Sequence, residues 1–133
     1  MWILASISPT FTYNFPFRWI VGLTFPILGC FVIGYCGFLF RRNGTTVNPT
    51  KPDTTSSLLT TGVYSYTRNP MYVCSLFILI GWAYFLSNIL AIILLPIFVI
   101  YMNQYQIKPE EDALELKFGQ EFVEYKSKVR RWL

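Results

Sequence analysis

No histidine occurs anywhere in the 133 residues, and the three cysteines, Cys30, Cys36 and Cys74, fall in apolar stretches without a C-x-x-C spacing. A zinc centre needs several such ligands at close intervals, so none is expected. An odd number of thiols in apolar surroundings also argues against a disulfide framework, and the three read as buried and inert. Charge is scarce as well. Asp, Glu, Lys and Arg make up 14% of the chain, beside 53% hydrophobic and 19% aromatic residues, whereas an ordinary soluble domain is roughly a quarter charged. Water is not the solvent that most of this chain is built to face.

The few charges are unevenly placed. Of eleven Lys and Arg residues only Arg18 precedes Phe40; the others cluster in Arg41–Arg68 and Lys108–Arg131, and the net charge is +4. Cations beside apolar runs mark the cytoplasmic side of a membrane. Aromatics are not interleaved with them on strands, so a nucleic-acid partner is not expected. The length suits a single domain, 1–133.

The apolar runs set the architecture. Trp19 to Phe40 carries no charge and as a helix would extend roughly 33 Å at ~1.5 Å per residue, enough to cross a bilayer. Pro26 should kink it, and Gly22, Gly29, Gly34 and Gly37 leave room for a close neighbour. Asn69 to Ile107 is uncharged and too long for one span. Ser87 and Asn88 are its plausible turn, which gives a helical hairpin of 71–86 and 89–105. Residues 1–17 are broken by Pro9 and Pro16 and are too short to span alone; their aromatics suit a membrane interface. They lack a basic leader and a small-residue cleavage site, so they are expected to stay in the mature protein. The fold expected is therefore all-α and integral to the membrane. It has about three transmembrane helices and an amphipathic C-terminal helix over 109–133, and both basic clusters and the C-terminus lie in the cytoplasm.

The tail changes character. Pro109 suits a first helical position, and Glu110, Glu111 and Asp112 fall where a helix dipole favours anions. Leu114, Phe118, Phe122, Tyr125, Val129 and Trp132 recur at helical spacing as one apolar face, with Gly119 a break point. Glu124 and Lys128 read as a surface pair. Asn103 and Gln104, near the end of the third helix, either bond across helices or line a cavity.

Two polar segments on the expected cytoplasmic rim carry groups suited to holding a small charged ligand: Ser57–Tyr72, reading SLLTTGVYSYTRNPMY, and Lys108–Leu114. Taken alone, Arg68 and Tyr72 would be interfacial anchors and Glu110 and Glu111 helix caps. Their spacing says more. Leu58, Leu59, Thr61, Gly62, Tyr64, Arg68, Asn69, Pro70 and Tyr72, followed by Glu110, Glu111, Phe118, Gly119, Phe122 and Tyr125, resemble the paired motifs of the isoprenylcysteine carboxyl methyltransferase and phospholipid methyltransferase-like membrane enzymes. The closing Val129-Arg130-Arg131-Trp132-Leu133 is also similar.

The resemblance implies S-adenosylmethionine bound at the membrane-cytosol boundary, without a Rossmann domain; no G-x-G-x-x-G occurs here. Carried over by position, the cofactor-lining residues would be Leu58, Leu59, Tyr64, Asn69, Pro70, Met71, Tyr72 and Glu110. Eukaryotic members have histidine at the positions of Ser56 and Asn69. They also have a substrate-binding arginine at the position of Gln106, and a neutral amide cannot pair bidentately with a carboxylate. Gln106 and Arg68 are the substrate-facing candidates, and no residue stands out as a general base. The function expected is methyl transfer to a membrane lipid or lipidated small molecule. Cofactor binding separates this from a non-catalytic membrane module that binds anionic lipid or a partner protein through its basic tail. A sterol-reductase-like protein would use a nicotinamide cofactor instead.

Overall fold

The computed structural model describes residues 1–14, 16–42 and 57–133. Among these residues, six α-helices run in order: α1 (Trp2–Ile7), α2 (Arg18–Arg42), α3 (Pro70–Leu86), α4 (Ile89–Tyr101), α5 (Lys108–Phe118) and α6 (Gln120–Lys128). Short 3-10 turns lie at Pro9–Phe11 and Gly62–Ser65, and a π-helical stretch at Met102–Ile107. Among the described residues there is no strand, and an isolated bridge joins Thr12 to Asn88. Among the described residues two helical stretches are long and apolar enough to cross a membrane, Arg18–Leu39 and the continuous Ile89–Phe118; α3, with 17 residues, is shorter.

Helix α2 carries no charge between Arg18 and Arg41, and its last turn holds Arg41 and Arg42, where cations complement the helix dipole. It packs along α3 through glycines. A Cβ added to Gly22 would lie 2.7 Å from the Phe85 side chain, one on Gly29 2.5 Å from Ile78, and one on Gly81 2.6 Å from Phe25. Bulky side chains of each helix thus sit where the other has none, the arrangement that membrane helices use for dispersion contact. Trp19 meets Phe85 edge-on at 4.9 Å. Gly34 and Gly37 differ from the expectation: nothing lies within 4 Å of a Cβ at either, so they do not admit a neighbour.

The α3–α4 turn falls at Ser87 and Asn88. Ser87 takes the left-handed conformation (φ 52) and Asn88 caps α4 by accepting from Leu90 N at 2.9 Å. Both are fully buried, because the N-terminal segment folds over them. Tyr13 N donates to Ser87 O (2.7 Å), Asn88 Nδ2 donates to Ser8 O (3.1 Å), and the Tyr84 hydroxyl donates to Pro16 O (2.9 Å). Polar groups at this tip are satisfied within the protein, as burial requires.

The tail departs from the expected single helix at both ends. Pro109 does not begin a separate helix; α4 runs through the π stretch into α5. Proline has no N–H and its ring crowds the carbonyl four residues back. A wider turn, with Lys108 N bonded to Asn103 O five residues earlier, absorbs it. Gly119 (φ 54) separates α5 from α6. Beyond Lys128 the chain is extended from Val129 (φ −119, ψ 133), so Val129 and Trp132 leave the helical face. Nor do Glu124 and Lys128 pair; Lys126 Nζ meets Glu115 Oε2 at 2.8 Å across the Gly119 bend.

The glycine interlock makes a prediction. Gly81→Val should destabilise the protein by about 1–3 kcal/mol through overpacking, whereas Gly34→Ala should change stability by less than about 1 kcal/mol. Thermal unfolding in detergent, followed by circular dichroism, compares the two.

Candidate functional site

The polar rim lies where α3 begins and α4 becomes α5. Gly62, at φ +66, turns the chain into the 3-10 segment, and Asn69-Pro70 then starts α3 with Pro at its first position, where a missing N–H costs nothing. That start places Tyr72 in the first turn. The π stretch places Glu110 opposite, and the Tyr72 hydroxyl donates to Glu110 Oε2 at 2.9 Å across 38 positions of sequence. Gln106 also reaches the Tyr72 hydroxyl. Burial raises the Glu110 carboxyl above its ordinary value; the Tyr72 hydrogen bond opposes this, and the neighbouring Glu111 adds to it.

Tyr64 and Tyr125 form the aromatic floor. Tyr64 is buried, with its hydroxyl against the Cys36 thiol and its ring near enough to feel Glu110. Its phenol is pushed well above the usual tyrosine value by burial first and then by Cys36, Tyr125 and Glu110. Tyr125 donates to Tyr64 O at 2.6 Å; burial pushes its phenol up to about 12, against the pull of Arg68.

Beside this pair sits a charge cluster. Glu111 is buried, with Arg68 Nη1 3.0 Å from Oε1 and Arg131 bound bidentately, Nη2 to Oε2 at 2.6 Å and Nε to Oε1 at 3.1 Å. Arg68 is close to the carboxylate but off the hydrogen-bonding direction, so its buried Nε and Nη1 have no hydrogen-bond acceptor among the described residues. The extended tail is pinned to the loop before α3. Arg68 N donates to Arg130 O (2.9 Å), and both Thr67 Oγ1 (3.2 Å) and Asn69 Nδ2 (2.9 Å) donate to Arg131 O. One residue on, Trp132 Nε1 donates to Asn103 Oδ1 at 2.9 Å, so Asn103 bonds across segments, and Gln104 is exposed.

The structure thus brings Tyr72, Glu110 and Gln106 together, with Tyr64 near Glu110. Arg68 and Asn69 lie next to them, but Arg68 pairs with Glu111 and the Asn69 amide is committed to the tail. Pro70 is buried at the helix start, with Met71 half-buried beside it. Leu58 and Leu59 are half-buried ahead of Gly62, and Ser56 lies outside the described residues. Sequence reasoning missed the Glu111–Arg131 tie and the Asn103–Trp132 bond. Both join segments distant along the chain and leave no local pattern.

Closely packed apolar helices thus carry a polar rim in which Tyr72 meets Glu110 and Glu111 is held by two arginines. The chain belongs to the phospholipid methyltransferase family, whose sequence profile matches residues 17–121. It is 51% identical over 63 residues to an uncharacterized protein of Haemophilus influenzae, covering 47% of this chain and all of that one. It is 37% identical over 81 residues to the protein-S-isoprenylcysteine O-methyltransferase of Saccharomyces cerevisiae, covering 60% of this chain and 34% of that one. The chain therefore matches about a third of the yeast enzyme's length. No solved structure matches.

Removing Glu111 would leave Arg68 buried and unpaired. Glu111→Gln should cost on the order of 3 kcal/mol, while Glu115→Gln, in the more exposed Lys126 pair, should cost less than about 1 kcal/mol. Urea unfolding in mild detergent measures both.

Proposed function

We propose that the chain catalyses S-adenosylmethionine-dependent methyl transfer to an amphiphilic acceptor at the membrane-cytosol boundary. Arg18–Leu39, α3 and Ile89–Ile107 would be three spans, and the rim and C-terminus would face the cytoplasm. The observation that carries this is the hydrogen bond between Tyr72 and Glu110, which joins the two motif segments on one side of the helices. Arg68 and Arg131 lie on that side and Arg41 and Arg42 end α2, the charge placement that a cytoplasmic orientation requires.

The residues fit the cofactor. A half-buried carboxylate whose charged form is disfavoured gains most when a cation or a pair of hydroxyl donors arrives, and Glu110 is that group. The phenol rings of Tyr64 and Tyr72 beside it offer faces to a positively charged centre. Bound S-adenosylmethionine supplies an electrophilic methyl on a sulfonium. The chain's share is to hold and orient: Tyr72 fixes the Glu110 carboxylate, and Gln106 fixes Tyr72. Leu58, Leu59, Asn69, Pro70 and Met71 would complete the cofactor lining. Positioning of the acceptor and exclusion of water by the apolar helices would then contribute to the rate. Gln106 in place of an arginine favours an acceptor whose head is not a carboxylate.

Isothermal titration of the detergent-solubilised protein with S-adenosylmethionine and its demethylated product should show binding. Glu110→Gln should lower affinity at least tenfold, and Tyr72→Phe less. The pH dependence has a definite sign. Because the folded carboxyl titrates above its ordinary value, acidification protonates it early, and affinity should already fall at a pH above the usual glutamate range. Without ligand the linkage is opposite. Glu110 contributes stability that is fully present below its unfolded pKa and lost as pH rises through the folded one. Ligand-free Glu110→Gln should therefore melt higher than wild type at neutral pH, yet lose the stabilisation by S-adenosylmethionine. Absence of any heat of binding to the wild type would overturn the reading in favour of a lipid-binding module.

A further inference from the structure

A cleft of about 270 Å³ opens between α3 and α4, lined by Val73, Leu76, Phe77, Val99, Trp132 and Leu133. Every lining side chain is apolar apart from the indole N–H of Trp132, and that donor is already given to Asn103. The cleft wall is therefore mostly hydrocarbon and aromatic surface. The two helices are apolar and face outward beside it, with Phe77, Ile97 and Ile100 exposed. Its upper end lies within one turn of the rim, since Val73 is the residue directly after Tyr72. Its volume falls just below the roughly 300–1,000 Å³ of sites that enclose a compact organic ligand.

Resting on the methyl-transfer reading above, we infer that Trp132, held by Asn103, is the specificity-determining wall of the acceptor site, and that the cleft takes a single slender hydrocarbon chain of the acceptor. The wall does not come from the membrane helices themselves. It belongs to the extended tail, which the loop before α3 pins through Arg130 O and Arg131 O and Glu111 grips through Arg131. The indole is thus fixed at both ends, by its backbone and by Asn103. Trp132 is one of the cleft's six lining residues, and at about 270 Å³ the cleft is small. In the inferred role it admits one unbranched chain, with the polar head at the Tyr72–Glu110 level, in preference to a fused-ring amphiphile of sterol type. The chain binds by burying apolar surface, so the wall selects by shape.

Two measurements test this with the full chain in detergent. In the first, Trp2, Trp19 and Trp82 are replaced by phenylalanine so that Trp132 alone fluoresces, and a single-chain amphiphile brominated on its tail is added. Saturable quenching is expected, and it should be suppressed when Val99→Phe fills the cleft. Quenching that never saturates, or that matches a variant retaining Trp2 alone, overturns the proposal. In the second, methyl transfer is compared for amphiphiles with one straight chain and with a branched or fused-ring body. Trp132→Ala should lower the straight-over-bulky ratio of kcat/KM at least fivefold, with the Kd for S-adenosylmethionine unchanged. Trp132→Phe, which keeps the ring but loses the bond to Asn103, should fall between. An unchanged ratio in both variants overturns it. If wild type transfers no methyl to anything, the methyl-transfer reading falls, while the quenching result still decides whether a chain occupies the cleft.

Discussion

A single carboxylate placed between two guanidinium groups organises this end of the molecule. Glu111 stands on α5, Arg68 in the loop ahead of α3, and Arg131 in the extended tail, so one side chain ties together three segments separated by helices. Each partner would be costly to bury alone. Together they are tolerable, and the backbone bonds from Arg68, Thr67 and Asn69 to the tail convert the ion pairs into fixed geometry. The whole rim depends on this closure. The Tyr125 bond to Tyr64 O and the Tyr72 bond to Glu110 reinforce it from either side.

Glu110 and Glu111 are adjacent yet do different things, and the π stretch explains how. Neighbours on a helix point about 100° apart, so one can meet Tyr72 on α3 while the next turns to the arginines. Their absolute direction depends on how many residues fill the turn before them. The wider spacing of Met102–Ile107 absorbs Pro109 without breaking the helix and rotates α5 about the shared axis. The same stretch carries Asn103 and Gln106, which meet Trp132 and Tyr72. An apparent irregularity is thus where the two halves of the rim are set in register.

These features divide by how far they were legible in the residues. The uncharged runs and the Ser87-Asn88 interruption marked α2, α3, α4 and the turn between the last two, because length and the absence of charge are local properties. The meeting of Tyr72 with Glu110 was implied by motif order. What could not be read was anything that depends on packing geometry. Gly22 and Gly29 receive neighbours, whereas Gly34 and Gly37 do not, and only the position of α3 distinguishes them. Periodicity carried the tail helix through Val129 and Trp132, since the spacing continues there. Tertiary bonds from the Thr67–Asn69 loop to the Arg130 and Arg131 carbonyls win over that helical preference.

The length of α3 links the fold to the proposed chemistry. Its 17 residues extend roughly 26 Å at ~1.5 Å per residue, less than a hydrocarbon core of roughly 30 Å. A helix at the short end of the spanning range leaves one or both of its ends close to the apolar boundary. At one end the deficit is met by the N-terminal segment, which covers Ser87 and Asn88 and satisfies them within the protein. At the other, in the proposed orientation, the rim lies close to the apolar boundary. An acceptor of the proposed kind, anchored by its hydrocarbon chain, would present its head at that depth without leaving the bilayer. The shortness of α3 would then be what brings the Glu110 carboxylate, two phenols and the acceptor's head to one level.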